Sequence, residues 1–529
     1  MIVFDTPGVG IDFPCTDTGI YYTIRITIKE RVNHGKGGSI MFRENVHKAD
    51  LGNGYYLNPI LDGDYADPAV FREGDNFYLC VSTGSYLPGL TSFHSKDLVN
   101  WSILCNPLRK FGENSFEAWA PDILKYKDKY YIYYCASGSN YVLWSDKIDS
   151  GWSDPIDLKV GLIDPGHVVD DEGNRYLILS TNHIVKLSDD GLKVESEPRK
   201  LFDTPHIPEE WEVEGEYPEA PNIFKKDGYY YLTYADGGTS GPATSHMIMS
   251  ARARSLEGPW EFSPYNPVVC TRSRTEKWIS KGHGHFVEDM NGKWWVIYHA
   301  YENGYDALGR KLLLSPVEFT EDGWFKVNQR PDDAYRKPLD IPKKEEKSIA
   351  TFADLNELDS KWKIIDTYAP DKYSLTENME LLVKATGTNP GNSSAISFIT
   401  GDHSYEMTAC VTRRDPGTKC GLLVQYNKNV FNGIGIEDGH ITIYLLGKLW
   451  VIGEAVDTEK IWFKLVNNDQ YLSHYYSLDG VKYKKMSQMT NLTPQCHNAY
   501  GGFVGLRPGL YAFGEGEACF GEFYYQGKK

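Results

Sequence analysis

The chain of 529 residues reads as an all-β protein, a five-bladed β-propeller followed by a β-sandwich. Three observations predict this. First, one short pattern occurs five times in the first 300 residues: Asp67-Pro-Ala-Val-Phe, Ala120-Pro-Asp-Ile-Leu, Asp164-Pro-Gly-His-Val, Glu219-Ala-Pro-Asn-Ile and His283-Gly-His-Phe-Val. Each copy turns into an aromatic strand whose central ring lies 11 or 12 positions from the first residue of the copy. Second, these units repeat every 45–65 residues or so with several short strands in each, the signature of propeller blades. Third, the period is lost after about residue 349, where alternating strand-like runs take over, and helical periodicity is weak throughout.

Residues 1–50 do not fit the repeat; Tyr21 to Ile28 reads as one strand and the Gly-rich stretch after it as loop, an extension without an assigned role. Residues 51–338 hold the five units, with strands bounded by turn residues such as Glu73-Gly74-Asp75, Asp227-Gly228 and Asn291-Gly292. A sandwich is the competing reading here, but its strands would not keep a constant offset from a charged residue. The first residues of the five copies therefore start the innermost strands and meet at one end of a common axis. Residues 339–348 form a linker, in a stretch rich in charge and proline that runs from Arg336-Lys337-Pro338 to Lys347. Residues 349–529 make the sandwich, opened by Phe352 and Trp362 and carried by runs such as Gly421–Tyr426, Ile441–Tyr444, Trp462–Leu465 and Tyr471–Tyr476.

Composition narrows the function. With 55 Lys and Arg against 72 Asp and Glu, the net charge of -17 disfavours nucleic acid and anionic membrane surfaces as partners. No apolar run approaches the roughly 20 residues that span a bilayer. Nine cysteines without a CxxC pair argue against a zinc site or a disulfide framework and read as buried thiols. Aromatic residues make up 14% of the chain; with 50 glycines they suit many short strands, most rings being core and some facing carbohydrate. Met1 to Asp5 carries no basic stretch leading into an apolar one, so the chain as it stands reads as cytoplasmic, and as periplasmic or secreted if its start is trimmed or misassigned.

Asp67, Asp164, Glu219 and His283 are the charged or metal-capable residues among the five starts. Three carboxylates converging in a funnel suit glycosidic bond cleavage. One protonated carboxyl serves the leaving oxygen and one carboxylate activates water on the opposite face, while a third raises the pKa of the acid by like-charge repulsion.

At these residues the sequence resembles glycoside hydrolase family 43, the five-bladed propeller enzymes that act on arabinose- and xylose-containing glycans. The resemblance runs from about Asn58 to Val327. It rests on Asn58-Pro59-Ile60-Leu61 leading to Ala66-Asp67-Pro68, Trp119-Ala120-Pro121-Asp122, Ile163-Asp164-Pro165, Glu219-Ala220-Pro221, Gly237-Gly238-Thr239, Gly258-Pro259-Trp260, Gly282-His283-Gly284, Tyr298-His299-Ala300 and Gly309-Arg310, taken in this order and spacing. What the resemblance implies is an inverting hydrolase with Asp67 as general base, Glu219 as general acid and Asp164 as the carboxylate that holds the acid and elevates its pKa. It implies further that Arg310 reaches the sugar at the innermost subsite, that Trp119 walls that subsite, and that His283 faces one structural Ca²⁺ on the propeller axis, with His285 competing for that role.

Other residues are weighed beside these. Asp122 lies two residues past the equivalent position and reads as structural. Glu214 and Glu216 precede the fourth copy and belong to the rim. His246 is either a substrate contact or a satisfied polar residue, and Trp294 and Trp295 read as core. Asn222 stands after Pro221 where many family members carry histidine, and the leader of residues 1–50 is unusual; both bear on substrate preference. The sandwich resembles the concanavalin-like accessory domain of β-xylosidases and α-L-arabinofuranosidases, where a sandwich loop closes one side of the funnel; Tyr426–Phe431 is the candidate loop, the alternatives being a stabilising domain or a carbohydrate-binding module. The function expected is exo-acting release of terminal xylose or arabinofuranose from an oligosaccharide or polysaccharide side chain. The alternatives are a non-catalytic glycan-binding propeller, or the same chemistry on another sugar such as galactose.

Overall fold

A computed structural model describes residues 41–43, 47–330, 333–341, 361–365 and 369–528. The expected strand Tyr21–Ile28, the linker residues 342–348 and Phe352 lie outside the described residues. Five antiparallel four-stranded meanders follow one another, the fourth carrying in addition the short strand Val269–Cys270. Their innermost strands are Ala66–Glu73, Pro121–Tyr126, Gly166–Val169, Glu219–Lys226 and Trp278–Glu288. These strands end in tight turns that the sequence specifies. In the fourth blade Lys226 pairs with Tyr229 across Asp227 (φ 50°) and Gly228 (φ 75°), a two-residue turn with both φ positive that Asp-Gly adopts readily.

Ring closure is visible in the cores. One apolar cluster sits between each pair of neighbouring blades. Cys80 and Ala69 pack with Ile123 and Ile132 between blades one and two. Tyr133 and Val142 meet Leu177 and Val185 between two and three. Ile178 meets Leu232 between three and four, and Tyr231 meets Trp294 and Phe325 between four and five. Val287, Trp295 and Ile297 of blade five then pack on Val70, Phe77 and Leu79 of blade one. Trp294 and Trp295 are core residues, as expected. The chain ends of the ring are tied by Tyr55–Tyr56 pairing with Tyr335–Arg336, and by Lys337, which reaches Asp50 at 2.7 Å and Asp97 at 3.0 Å.

The C-terminal part is a sandwich of two sheets. One carries, in order, Tyr373–Leu375, Leu381–Lys384, Glu517–Lys528, Ser404–Arg413, Lys460–Asn468, Tyr471–Ser477 and Lys484–Asn491. The other carries Ile396–Ser397, Arg507–Gly514, Thr418–Gln425, Phe431–Glu437, His440–Leu445 and Lys448–Ala455. Residues Met41–Arg43 add a parallel strand beside Tyr524–Gln526, so this piece of the leader belongs to the sandwich, while Asp50 is tied to the ring. Polar and charged contacts join the two domains. Ile364–Ile365 pairs with Tyr86–Leu87, and the buried Lys363 donates to Pro88 O, Thr91 and Asn106. Arg507 reaches Asp64 at 3.1 Å and stacks on Tyr86, while Glu302 bridges Lys311 (2.6 Å) and His403 (2.9 Å). Removing one partner of such a buried pair strands the other charge, so this interface holds the two domains in one register.

Candidate active site

The innermost strands share a device that aims their first side chains. Register partners resume two residues after Asp67, Asp164, Ala220 and His283, at Ala69, Gly166, Asn222 and His285, whereas in the second blade pairing already begins at Pro121, the residue after Ala120. Four of these starts hold left-handed backbone: Asp67 (φ 55°), Asp164 (φ 57°), Ala220 (φ 52°) and His283 (φ 48°). Non-glycine residues adopt that region only when the surroundings impose it, and such strain gathers at functional sites. The frame corrects one sequence reading. The residue equivalent to Asp67 in the fourth blade is Ala220, and Glu219 precedes it by one position. The 11-or-12 offset concealed that slip, because in the run Tyr229–Tyr231 the count ends equally well on Tyr230, whereas the register equivalent of Tyr78 is Tyr231.

Asp67 is buried and held on every side. Arg310 donates from Nη1 to Oδ1 at 2.7 Å and from Nη2 to Oδ2 at 3.4 Å, and Ser82 donates its hydroxyl to Oδ2 at 2.7 Å. The Nδ1 atoms of His299 and His283 lie 3.2 and 3.5 Å from Oδ1. Burial alone would raise the Asp67 pKa. The Arg310 charge, helped by His283 and His299, overcomes it and holds this carboxyl well below the ordinary value. Burial drives His283 down to about 4 against the pull of Asp67, and drives His299 down to about 3 with Arg310 adding to it, so both imidazoles are neutral.

The other two carboxyls have no cation of their own. Asp164 accepts from the Ala220 N–H at 3.0 Å and lies beside the Cys135 thiol at 3.7 Å. Burial, then the Asp67 charge, pushes it up to about 7. Glu219 keeps 19% of its side chain exposed in the funnel, enough for a ligand atom to reach it. Burial, then Asp164, then Asp67 push it well above the ordinary carboxylate value. One ionised carboxylate, Asp67, thus faces two carboxyls without a cation, of which Glu219 is the one held protonated.

Several expectations meet the geometry differently. His246 is corrected as a substrate contact: it is fully buried, stacked on His299 with centroids 5.3 Å apart, and its Nε2 lies 3.9 Å from Glu219 Oε1, so it backs the acid from behind. His283 stands in the carboxylate layer, 3.5 Å from Asp67 and 3.8 Å from Asp164. Calcium takes six to eight oxygen ligands. The set Asp67, His283 and His299 offers two imidazoles and one carboxylate whose oxygens Arg310 and Ser82 already occupy, so it does not fit that ion. His285, lower on the axis, meets Asn222 at 2.9 Å and Asp122 at 3.5 Å. There Asn222 Oδ1 is taken by the Phe286 N–H and Asp122 Oδ2 by the His167 N–H, which leaves that position equally poor in free oxygen. Trp119 presents a 39% exposed indole next to the site, and Glu214 and Glu216 lie in the exposed loop before Glu219.

Sequence reasoning gave no role to Ser82, Cys135 or His299. It also placed the closing loop wrongly. The sandwich segment against the site is 497–505, not Tyr426–Phe431. Phe503 O accepts from Arg310 Nη2 at 3.3 Å, the Phe503 ring lies 5.3 Å from the Arg310 guanidinium carbon, and His497 stacks on that ring. Tyr426 stands behind, donating its hydroxyl to Gly501 O at 2.6 Å.

Gly282 shows how tightly the layer is packed. A Cβ there would lie 1.6 Å from Cδ2 of His246, whose ring is enclosed. Gly282→Ala is expected to destabilise the protein by about 3 kcal/mol, at the upper end for overpacking. It should also lower kcat/KM at least tenfold by moving His246 against Glu219; thermal unfolding and kinetics on one batch check both.

Two family models match the chain: Glycosyl hydrolases family 43 over residues 56–325, and the Beta xylosidase C-terminal Concanavalin A-like domain over residues 350–526. The sequence is similar to a xylosidase/arabinosidase of Butyrivibrio fibrisolvens, 28% identical, covering 87% of this chain and 96% of that protein. It is also similar to a non-reducing end α-L-arabinofuranosidase of Bacteroides ovatus, 27% identical over 88% of this chain and 92% of that one. The fold is similar to the crystal structure of the family 43 protein BlXynB of Bacillus licheniformis, with a TM-score of 0.80, 26% identity and coverage of 90% of this chain and 100% of that one.

Proposed function

The chain belongs to glycosyl hydrolase family 43 and is a glycoside hydrolase; from that premise we propose that it removes single terminal pentoses, xylose or arabinofuranose, from xylan- or arabinan-type glycans with inversion at the anomeric carbon. The observation that carries this reading is the division of three clustered carboxyls into one bound to a guanidinium and two without a cation. Asp67, ionised by Arg310, takes a proton from the water that attacks the anomeric carbon. Glu219, kept protonated, gives its proton to the departing glycosidic oxygen. The C–O bond to the aglycone breaks as the new C–O bond forms, and the sugar leaves with its configuration reversed. Asp164 sets the acid: its oxygen holds the backbone at Ala220, and its charge raises the Glu219 pKa. Arg310 serves twice, fixing the base and facing the bound sugar beside Phe503.

The exo character is supported by the sandwich segment 497–505, whose Phe503 reaches Arg310 and so bounds the site on one side. The pentose preference is supported by the relatives named above. Incubation with xylobiose, arabino-oligosaccharides and nitrophenyl pentosides and hexosides tests both; single pentoses are the expected products, and release of disaccharides or exclusive action on hexosides would overturn the reading.

Asp164→Asn is expected to move the basic limb of the kcat/KM profile to lower pH by about one unit or more, because the neighbouring negative charge that raises Glu219 is gone. The acidic limb, set by Asp67 well below the ordinary value, should stay or move slightly lower. A pH profile with an unmoved basic limb would remove Asp164 from this role.

A further inference from the structure

Next along the chain from His246, which backs Glu219, lies a second cavity of about 360 Å³, lined by Trp211, Glu212, Thr244, Met247, Cys270 and Arg272 among others. We propose that it is a glycan-binding site, which holds a neutral pentose unit of the same polymer whose terminal sugar enters the catalytic pocket; the inference rests on the glycan reading above.

Position is the first ground. His246 backs Glu219, and the next residue, Met247, lines the second cavity, so one residue of chain separates the side chain behind the acid from the cavity lining. Trp211 lies eight residues before Glu219 in the chain, on the loop that leads to the acid. Chemistry is the second ground. The Trp211 indole is 38% exposed, whereas Trp278, Trp294, Trp295 and Trp324 are buried. A flat apolar ring bordered by hydrogen-bonding groups suits the C–H face of a sugar with its hydroxyls pointing outward. Those groups are present in the Thr244 hydroxyl, the Arg272 side chain and the Glu212–Arg274 pair.

Preorganisation is the third ground. Both loops are exposed, yet they are tied to each other and to themselves. Arg274 grips the Glu212 carboxylate from Nε at 3.0 Å and from Nη2 at 2.6 Å. Thr244 donates to Glu212 O at 2.8 Å, and Glu276 Oε1 accepts the N–H groups of Arg272 at 2.6 Å and Ser273 at 3.1 Å. A cavity already held open costs little ordering when a ligand enters. Two sites on one polymer raise the effective concentration of the chain end at the catalytic pocket, so the second site acts through KM on long substrates.

The experiment compares Trp211→Ala and Arg272→Ala in the full chain. On a nitrophenyl pentoside both should keep kcat and KM within about twofold. On arabinoxylan or xylohexaose KM should rise about fivefold or more with kcat unchanged. In affinity electrophoresis through arabinoxylan, a Glu219→Gln protein should be retarded, and adding Trp211→Ala should abolish the retardation. Unchanged KM on the long substrates and unchanged retardation for both variants would overturn the proposal. So would an equal loss on long and short substrates, which would place Trp211 in support of the acid loop. The electrophoresis reads this site without turnover, so a chain that cleaves no pentoside but shows Trp211-dependent retardation fails the activity reading and keeps this one.

Discussion

Asp67→Asn is expected to lower kcat about a thousandfold, within the range that loss of a positioned general base produces. Asparagine has the same shape; its oxygen can still accept from Arg310, and its amide can donate to the Ser82 hydroxyl in place of the bond that Ser82 now donates, so the packing can persist. What disappears is the site that takes the proton of the attacking water. A second consequence separates this account from simple damage. The Asp67 charge also raises both Asp164 and Glu219. Without it, the buried Arg310 loses its counter-ion and draws on the remaining carboxyls, so the basic limb of the residual activity should move to lower pH. Azide added to Asp67→Gly should restore part of the turnover, because it attacks without needing a base, and the product should be a glycosyl azide of inverted configuration. Wild-type kcat in Asp67→Asn would remove this residue from the chemistry.

Glu219→Gln should show a loss that depends on the leaving group. Sugars and other alcohols leave poorly as anions and need the proton, so turnover of xylobiose or an arabino-oligosaccharide should fall by about four orders of magnitude, at the top of the range for acid catalysis. A dinitrophenyl pentoside departs without protonation and should lose tenfold or less. A plot of rate against leaving-group pKa, shallow in the native enzyme, should become steep in the variant. An equal loss on both substrates would mean that Glu219 binds or orients rather than donates a proton.

Much of this site was legible because the propeller repeats. The Asp-Pro starts at 67 and 164 and the Glu-Ala-Pro start at 219 carry the pattern in their own letters, and aromatic strands at a near-constant distance fix them to one end of an axis. The pattern could not reveal that Glu219 sits one position early. Three tyrosines stand in a row at 229–231, and an offset counted to Tyr230 instead of Tyr231 absorbs the difference. His299 was hidden for a different reason: it lies on the second strand of blade five, and its pairing with Gly282 sets it beside His283 with its Nδ1 3.2 Å from Asp67. Phe503 belongs to the other domain and lies 193 positions from Arg310, so no local signal connects them. His246 carried a polar letter near the pocket, but burial behind Gly282 is a matter of packing that spacing does not report. The calcium expectation came from the family resemblance at His283, with His285 competing because the histidine motif is doubled. The oxygen donors it needed are spent on Arg310, Ser82 and backbone N–H groups, and the sequence does not show that competition.

The central claim is that Asp67 activates water while Glu219 protonates the leaving oxygen. Proton NMR of the first sugar released tests it most directly, followed within seconds to minutes of mixing and before mutarotation. From a β-xyloside the account predicts that α-xylose appears first and β-xylose grows in only by equilibration. First appearance of β-xylose would mean retention through a covalent intermediate, and would contradict the assignment of Asp67 as a base acting on water.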